Sequence, residues 1–318
     1  MILKNTQYKI NLGLCCINLT LKKQKPRIFT SRTVQRKTLY NLSISERKKL
    51  VYEIARQNLQ DVITMMEWNY KHNIFLFRLS SNLLPRYTDH KVVKYDMSVF
   101  RKYFTEIGRL SKKYKQRLTF HPGPFNILNS LKDEVYKNTI RTLEYHVDML
   151  DLMRLDQNSV VIIHGGSKNN NKNEAKKLWC KKYILLSDKI KRRLVLENCE
   201  RIFNIEDCLE INQKVGVPVV FDTHHFNCYN ILFPGEITNK PETYMNNILS
   251  SWKNKNITPL FHISEQGRGK IGHHSDYVTS LPLYLLNIPQ QYQTNLDIMV
   301  EAKAKEQAVI NLKKKYNI

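Results

Sequence analysis

The sequence of 318 residues lacks the features that mark membrane-spanning and secreted proteins. No apolar run approaches the roughly 20 residues that a membrane span needs. The N-terminal stretch is polar and has neither the apolar core nor the cleavage site of a secretory signal. We therefore expect a soluble intracellular protein, cytoplasmic or nuclear, without a membrane partner. No linker rich in glycine, serine or proline divides the chain, so we expect one domain over residues 1–318, and a monomer.

Cysteine pairs and phosphate-cradling loops are missing as well. None of the six cysteines stands in a CxxC pair, which argues against a zinc ribbon and a thioredoxin-like site. Scattered cysteines in a chain of this length are expected to be reduced. No GxxxxGKS/T sequence is present, so hydrolysis of nucleoside triphosphates is not expected. No Ser/His/Asp or Cys/His arrangement indicates nucleophilic catalysis.

Acidic residues are scarce relative to basic ones. The chain has 28 Asp and Glu against 51 Lys and Arg, which gives a formal net charge of +23. A polyanionic partner explains this excess, because each phosphate that a basic side chain neutralises releases condensed counterions. The alternative is a compositional bias, since the chain is also rich in asparagine. The segment Lys22–Arg36 is the strongest early concentration of basic residues.

Eight short apolar runs alternate with longer segments of helical periodicity. Runs such as Ile74–Phe77 and Val160–Ile163 are continuously apolar, which is typical of strands buried on both faces of a parallel sheet. No glycine-rich turn follows the first run, which argues against an open doubly wound sheet. We predict an α/β fold, a single (β/α)8 TIM barrel. The predicted strands are Lys9–Cys16, Ile74–Ser81, Leu118–Pro122, Val160–His164, Leu194–Asn198, Val217–His224, Leu260–Ser264 and Leu296–Ala302. The predicted helices are Ser45–Lys71 (with a capping signal at Ser45 and Glu46), Met97–Tyr114, Lys132–Arg154, Asn173–Lys191 and Ile205–Lys214.

Metal-ligating residue types stand at the C-terminal ends of six consecutive predicted strands. In a barrel these ends converge on one mouth. A lone histidine at a strand end is usually structural, but six such residues together would be poorly satisfied without a cation. Imidazole and carboxylate ligands together suit manganese, zinc or iron. The six positions are His121, His164, Glu197, Asp222, His262 and Glu301.

Clustered metal ions beside a basic surface suit phosphodiester hydrolysis. One ion lowers the pKa of a bound water, and others neutralise the phosphate and the leaving oxygen. A sugar enzyme of the xylose-isomerase type would use a similar barrel, but the charge of +23 and the basic segment Lys22–Arg36 argue against a small sugar. A non-catalytic DNA-binding protein would not need such a ligand series.

Ten short sequence pieces follow one another along nearly the whole chain. They are Leu12-Gly13-Leu14-Cys15, Ser31-Arg32-Thr33, Phe77-Arg78-Leu79-Ser80-Ser81, His121-Pro122-Gly123, His164-Gly165-Gly166, Leu196-Glu197-Asn198, Phe221-Asp222-Thr223-His224-His225, His262-Ile263-Ser264, His274-Ser275-Asp276-Tyr277-Val278 and Glu301-Ala302-Lys303. In this order the pieces resemble the UV-damage endonuclease family. The resemblance implies nicking of damaged duplex DNA on the 5′ side of cyclobutane dimers and 6-4 photoproducts, leaving a 3′-hydroxyl. It also implies two or three divalent ions, usually manganese, with magnesium or zinc as alternatives. An apurinic-site endonuclease of the endonuclease IV type is the nearest rival.

The resemblance also implies site residues. His90 is assigned by the resemblance alone, and His274 is preferred to His273 because it precedes the Ser-Asp-Tyr match. We expect His224 to face away from the metals, and His72 and His146 to be structural. The implied metal ligands are His90, His121, His164, Glu197, Asp222, His225, His262, His274 and Glu301. The implied catalytic residues are Glu197, Glu301 and Lys303, and the implied DNA contacts are Asn18, Arg32, Pro124 and Phe125.

Three positions depart from the family pattern. Pro124 and Phe125 replace a Gln-Tyr pair that wedges into the duplex, so an aromatic face survives but an amide is lost. Leu260 replaces a lysine that contributes to the third metal site, so we expect the site of His225 and His274 to be weak or completed by water. Leu14 stands where some relatives have tyrosine.

Overall fold

A closed barrel of eight parallel strands forms the body of the computed structural model, which describes residues 7–318. The strands follow one another around the barrel in sequence order, and helices lie between them, so the predicted TIM barrel is confirmed. All eight predicted strands are present. Their bounds are β1 Ile10–Cys15, β2 Leu76–Leu79, β3 Arg117–Phe120, β4 Val161–His164, β5 Leu194–Glu197, β6 Val219–Asp222, β7 Leu260–Ile263 and β8 Leu296–Val300.

Helices surround the barrel, and short 3-10 turns at Met97–Phe100 and Pro241–Tyr244 precede two of them. Within residues 7–318, no helix has the length and apolar character to cross a bilayer. All six cysteines lie in this part of the chain and are free thiols, as expected. The helices are α1 Leu19–Lys22, α2 Arg36–Tyr40, α3 Ile44–Lys71, α4 Arg101–Tyr114, α5 Asp133–Leu152, α6 Lys172–Ile184, α7 Asp188–Lys191, α8 Ile205–Val215, α9 Thr223–Leu232, α10 Met245–Lys253, α11 Leu283–Tyr292 and α12 Glu306–Tyr316.

Most predicted bounds differ from the observed ones by one or two residues, and three of the differences concern where a helix begins or divides. The capping box of α3 is formed by Ser43 and Glu46 rather than by Ser45, so the helix begins earlier. The predicted helix Asn173–Lys191 is two helices, α6 and α7, separated by a short turn at residues 185–187. The sixth strand ends at Asp222 rather than His224, because the Asp222 carboxylate accepts a hydrogen bond from the His225 amide and caps α9.

Burial on both faces explains the apolar sequence of the strands. Every residue of β2, β5, β6, β7 and β8 is buried. The barrel closes where β1 pairs with β8, in a register that runs from Ile10 opposite Leu296 to Leu14 opposite Val300. The sheet therefore has no exposed edge, and its backbone groups are satisfied around the ring.

A buried ion pair lies at the N-terminal end of the barrel. The guanidinium of Arg117, on the first residue of β3, lies 2.9 Å from the carboxylate of Asp297 on β8 and also donates to the carbonyl of Thr258. Polar groups at this end are thereby used for stability. The opposite, C-terminal mouth carries the candidate functional residues, as in TIM-barrel enzymes generally.

Candidate metal centre

Glu197 lies at the middle of the C-terminal mouth and is completely buried. It is the last residue of β5, and its Oε2 atom lies 2.6 Å from His121 Nε2 and 3.3 Å from His164 Nε2. Its other oxygen, Oε1, lies 2.6 Å from His262 Nδ1. The structure thus brings residues from β3, β4, β5 and β7 together around one carboxylate, although they are far apart in sequence.

Two groups of residues at the mouth could hold metal ions. The first group is His121, His164 and Glu197, and the second is Glu197, Asp222, His262 and Glu301. Within each group the potential ligand atoms lie within 4.8 Å of one another. Glu197 belongs to both groups, so it could contribute a ligand atom to an ion held by either group. We call the six residues together the Glu197 cluster.

Asp222 provides a test of whether the Glu197 cluster fits a cation. Its Oδ1 atom caps α9, but its buried Oδ2 atom accepts no hydrogen bond from any described residue. A buried carboxylate oxygen without a partner costs free energy, which a bound cation would recover. Imidazole and carboxylate are a ligand set that manganese, zinc and iron accept. The residues present therefore fit a divalent transition-metal ion.

The charges of the Glu197 cluster perturb the pKa values of Glu197 and of the neighbouring His225. Burial alone would raise the pKa of Glu197, but His262, His121 and His164 hold it well below its usual value. Burial would lower the pKa of His225, but Asp222, Glu197 and Glu200 raise it to about 9. The carboxylates thus create a field that favours positive charge at the mouth, and a divalent ion would experience the same field.

His225 and His274 lie beside the Glu197 cluster, but outside both groups. His225 Nδ1 is 3.6 Å from Glu197 Oε1 and 3.8 Å from Asp222 Oδ2. His274 Nε2 is 3.9 Å from Glu301 Oε2, and its Nδ1 is 2.6 Å from the Glu301 carbonyl. The neighbouring His273 is exposed, so His274 is the better placed of the two for a metal.

Two further predicted residues, His90 and Lys303, are exposed. His90 lies in a turn after β2, and neither group found among residues 7–318 includes it, so its role as a ligand stays a prediction. Lys303 is exposed and lines a cavity of about 500 Å³ together with Cys15, His274 and Glu301. A lysine at this position can meet an anion that approaches Glu301.

Asn18 and Arg32, two of the predicted DNA contacts, are built into the fold. Asn18 is buried, and its Oδ1 atom caps α1 by accepting a hydrogen bond from the Leu21 amide at 2.9 Å. Arg32 is half-buried and donates to the Asp61 carboxylate and the Phe29 carbonyl. These contacts hold the segment after β1 in place, and a direct role in DNA binding stays a prediction for both residues.

The structure places Phe125 and Pro124 on the surface. Phe125 is 75% exposed, so the alternative that it packs beneath the following helix is wrong. Its ring lies across Gly123, where a β-carbon would come within 2.5 Å of Phe125 Cε1. The other two departures from the family pattern, Leu14 and Leu260, are buried in β1 and β7.

The remaining histidines divide into structural and neighbouring ones. His146 Nε2 lies 3.0 Å from Ser81 Oγ in the interior, and His72 stacks on Trp68, so both structural predictions are confirmed. His224 belongs to neither group of potential metal ligands, and its ring centroid lies 5.5 Å from that of His274. The expectation that His224 faces away from the metals stays a prediction.

Arg78 is a functional candidate that was not singled out from the sequence. It is buried on β2, and its Nη2 atom lies 2.6 Å from Glu301 Oε1 and 2.9 Å from His262 Nε2. A buried guanidinium at these distances orients both ligands and balances part of the carboxylate charge. The available signal was a single charge inside an otherwise apolar strand, Leu76–Leu79.

Comparisons with known proteins agree over the length of the chain. A family model described as UV-endonuclease UvdE matches residues 10–318. The UV-damage endonuclease of Schizosaccharomyces pombe is 33% identical over 99% of this chain, which spans only 52% of that protein. A putative UV-damage endonuclease of Acanthamoeba polyphaga mimivirus is 33% identical over 98% of this chain and 92% of its own length. The chain thus spans about half the length of the S. pombe relative and nearly all of the viral one.

Solved structures share the barrel to different degrees. The crystal structure of SacUVDE has a TM-score of 0.81 at 27% identity and covers 96% of this chain and 97% of its own. Endonuclease IV from Thermus thermophilus has a TM-score of 0.53 at 13% identity, covering 80% and 92%. A 3-keto-D-glucoside 4-epimerase from E. coli has a TM-score of 0.52 at 10% identity, covering 79% and 91%. Since nucleases and a sugar enzyme share this architecture, the barrel by itself does not distinguish among these activities.

Proposed function

This chain belongs to the UV-endonuclease UvdE family, and we propose that it nicks duplex DNA on the 5′ side of UV photoproducts with the help of divalent metal ions. The observation that carries the metal dependence is the position of Glu197, which is shared between two groups of potential ligands. A buried carboxylate flanked by His121, His164 and His262 is placed to hold two ions close together.

Binding of the DNA backbone is supported by the basic segment Lys22–Arg36. Its residues Thr30 and Ser31 are tied to the mouth, because Thr30 Oγ1 donates to the Cys16 carbonyl and Ser31 Oγ lies 2.8 Å from Ser80 Oγ. The basic side chains that precede these anchors in sequence are exposed, namely Lys23, Lys25 and Arg27. A cationic rim beside the Glu197 cluster would neutralise phosphates and bring the scissile bond to the mouth.

The chemistry would be divided between bound ions and the chain. Divalent ions bound here supply an activated water and neutralise the phosphate and the leaving oxygen. The histidines around Glu197 keep this carboxylate ionised, and Arg78 fixes Glu301 and His262 in place. Lys303, exposed beside Glu301, would donate to a phosphate oxygen and so stabilise the charge that develops there. Manganese is the ion that the family resemblance implies, and the imidazole and carboxylate ligands would also accept zinc or iron.

Lesion recognition is assigned to Phe125, with Pro124 beside it. A photoproduct weakens stacking and pairing, so the cost of opening the duplex falls at that point. An exposed ring next to the mouth can then fill the gap between bases. Because the aromatic face is retained and the family's amide is not, stacking rather than hydrogen bonding would discriminate damaged from intact DNA.

An incision assay tests the whole proposal. The substrates are an end-labelled duplex with a single cyclobutane dimer, the same duplex undamaged, and one with an abasic site. Chelator-stripped protein should leave all three intact, and addition of Mn²⁺ should restore a nick on the 5′ side of the dimer. Nicking by stripped protein at the original rate would refute the metal mechanism. Faster cleavage at the abasic site than at the dimer would favour an endonuclease IV type of activity.

A further inference from the structure

His225 has two ring nitrogens that face different surroundings. Its Nδ1 atom points toward the barrel, 2.9 Å from the Asn198 carbonyl and 3.6 Å from Glu197 Oε1. Its Nε2 atom points the other way, and Glu200 Oε2 lies 4.0 Å from it. Glu200 belongs to neither group of the Glu197 cluster, and it does not stand at the end of a strand.

We propose that Glu200 is a further metal ligand, and that it completes a peripheral site for a divalent ion together with His225. The inference rests on the proposed metal-dependent function. Each ligand atom lies about 2.1 Å from a divalent ion, so two ligand atoms of one ion lie roughly 3 to 4.2 Å apart. The 4.0 Å between His225 Nε2 and Glu200 Oε2 falls within this range, with room for an ion between them.

The loop after β5 holds Glu200 in this position. Cys199 anchors the loop, because its amide donates to the Phe203 carbonyl at 2.8 Å and its sulfur accepts from the Phe203 amide. On the other side, a methyl group on Gly272 would lie 3.6 Å from Glu200 Cγ. Glu200 thus lies between His225 and the segment that leads from Gly272 to His274, the other histidine outside the two groups.

The charges around His225 also favour the binding of a cation. Glu197, Asp222 and Glu200 all approach its ring, and the Asp222 Oδ2 atom on the inner side is buried without a hydrogen bond from any described residue. Arg201 offsets only part of this charge, since its Nε atom lies 3.6 Å from the other oxygen of Glu200 and its side chain is largely exposed. An ion between His225 and Glu200 would neutralise the carboxylate that Arg201 leaves facing inward. Glu200 would thereby strengthen the site that Leu260 is expected to weaken.

Metal counting tests the assignment without using nuclease activity. Chelator-stripped wild-type protein, Glu200→Gln and the control Glu174→Gln are titrated with Mn²⁺ by calorimetry, and bound ions are counted by elemental analysis. Glu174 is a matched control because its carboxylate pairs with Lys177 on the surface of α6. Glu200→Gln should weaken the weakest bound equivalent about 10-fold or more and leave the tighter ions in place, whereas Glu174→Gln should match wild type.

A coupling experiment separates a shared ion from a simple ion pair between Glu200 and protonated His225. In a His225→Ala background, Glu200→Gln should weaken metal binding no further, because the peripheral site is already lost. Thermal unfolding of the stripped proteins checks that each variant is folded. Isotherms of Glu200→Gln that superimpose on those of wild type would overturn the inference. A different outcome is that wild-type protein binds the extra ion through Glu200 as expected and yet fails to nick damaged DNA. That result would refute the proposed function and leave the peripheral site standing.

Discussion

Replacement of Phe125 by alanine should abolish much of the preference for damaged DNA with little loss of stability. The ring is 75% exposed, so only about a quarter of an aromatic side chain is buried, roughly 50 Å². At about 25 cal/mol per Å² this burial contributes about 1 kcal/mol to folding. Since the ring lies over Gly123, a residue without a β-carbon, its removal opens no cavity in the core. The Phe125→Ala variant should therefore fold and bind metal normally.

The effect on recognition should be larger. Stacking of a base on an aromatic ring is worth roughly 1–3 kcal/mol, and about 1.4 kcal/mol corresponds to a factor of ten. Loss of the ring should therefore reduce the ratio of affinities for damaged and intact duplex about 5- to 150-fold, and we expect 10-fold or more. Binding to intact DNA should change little, because phosphate contacts supply most of it.

Competition binding and single-turnover incision on dimer-containing and undamaged duplexes measure this ratio. Leu131→Ala is the matched control, because Leu131 follows the same strand, β3, and is 67% exposed but has no aromatic face. A folded Phe125→Ala protein with unchanged preference for the dimer would refute the stacking argument. An equal loss in Leu131→Ala would show that exposed apolar surface, rather than aromatic stacking, is responsible.

Three further predictions concern the Glu197 cluster and its surroundings. Glu197→Ala or Glu301→Ala should lower the incision rate about 10³-fold or more, because a carboxylate that helps to hold the ions is lost. DNA binding should survive in both variants. Near-normal turnover in either variant would contradict the assignment. DNA affinity should fall about 10³-fold between low and moderate salt, and charge reversal at Lys23 and Lys25 should flatten this dependence; a flat dependence in the wild type would mean that the charge of +23 is only compositional. In metal-free protein the raised pKa of His225, about 9 against 6.5, contributes stability that is complete below pH 6.5 and is lost as the pH rises through 9. Thermal unfolding of stripped protein should therefore show lower stability at pH 10 than at pH 6, and a His225→Gln variant that keeps the full difference would disprove this origin.

The barrel was predictable because strands that are buried on both faces have continuously apolar sequences. Continuous apolar runs such as Val160–Ile163, each ending in a polar ligand type, revealed both the strands and the mouth. The start of α9 was less accessible. The helix begins where the side chain of Asp222 caps it. In the sequence, Asp222 is equally typical of a potential metal ligand at the end of a strand that continues to His224. Local hydrogen bonding therefore decided a boundary that hydrophobic pattern could not.

Contacts between distant elements explain what was missed at the site. Arg78 looked like one charge in an apolar strand until β8 and β7 brought Glu301 and His262 within hydrogen-bonding distance. Arg32 matched a family motif, but the sequence could not reveal that Asp61 on α3 receives its guanidinium. Glu200 follows Glu197 closely in sequence, yet only the fold places it beside His225 Nε2.

The seam between β1 and β8 also governs when activity can arise during synthesis. A ribosome adds about 5–20 residues per second, so tens of seconds separate the appearance of β1 from that of β8. Until β8 emerges, the first strand has no partner on one side, and Glu301 is missing from the second ligand group. An unfinished chain can therefore hold neither a closed barrel nor the full set of ligands. The proposed nuclease activity would therefore be absent from a nascent chain until β8 has emerged.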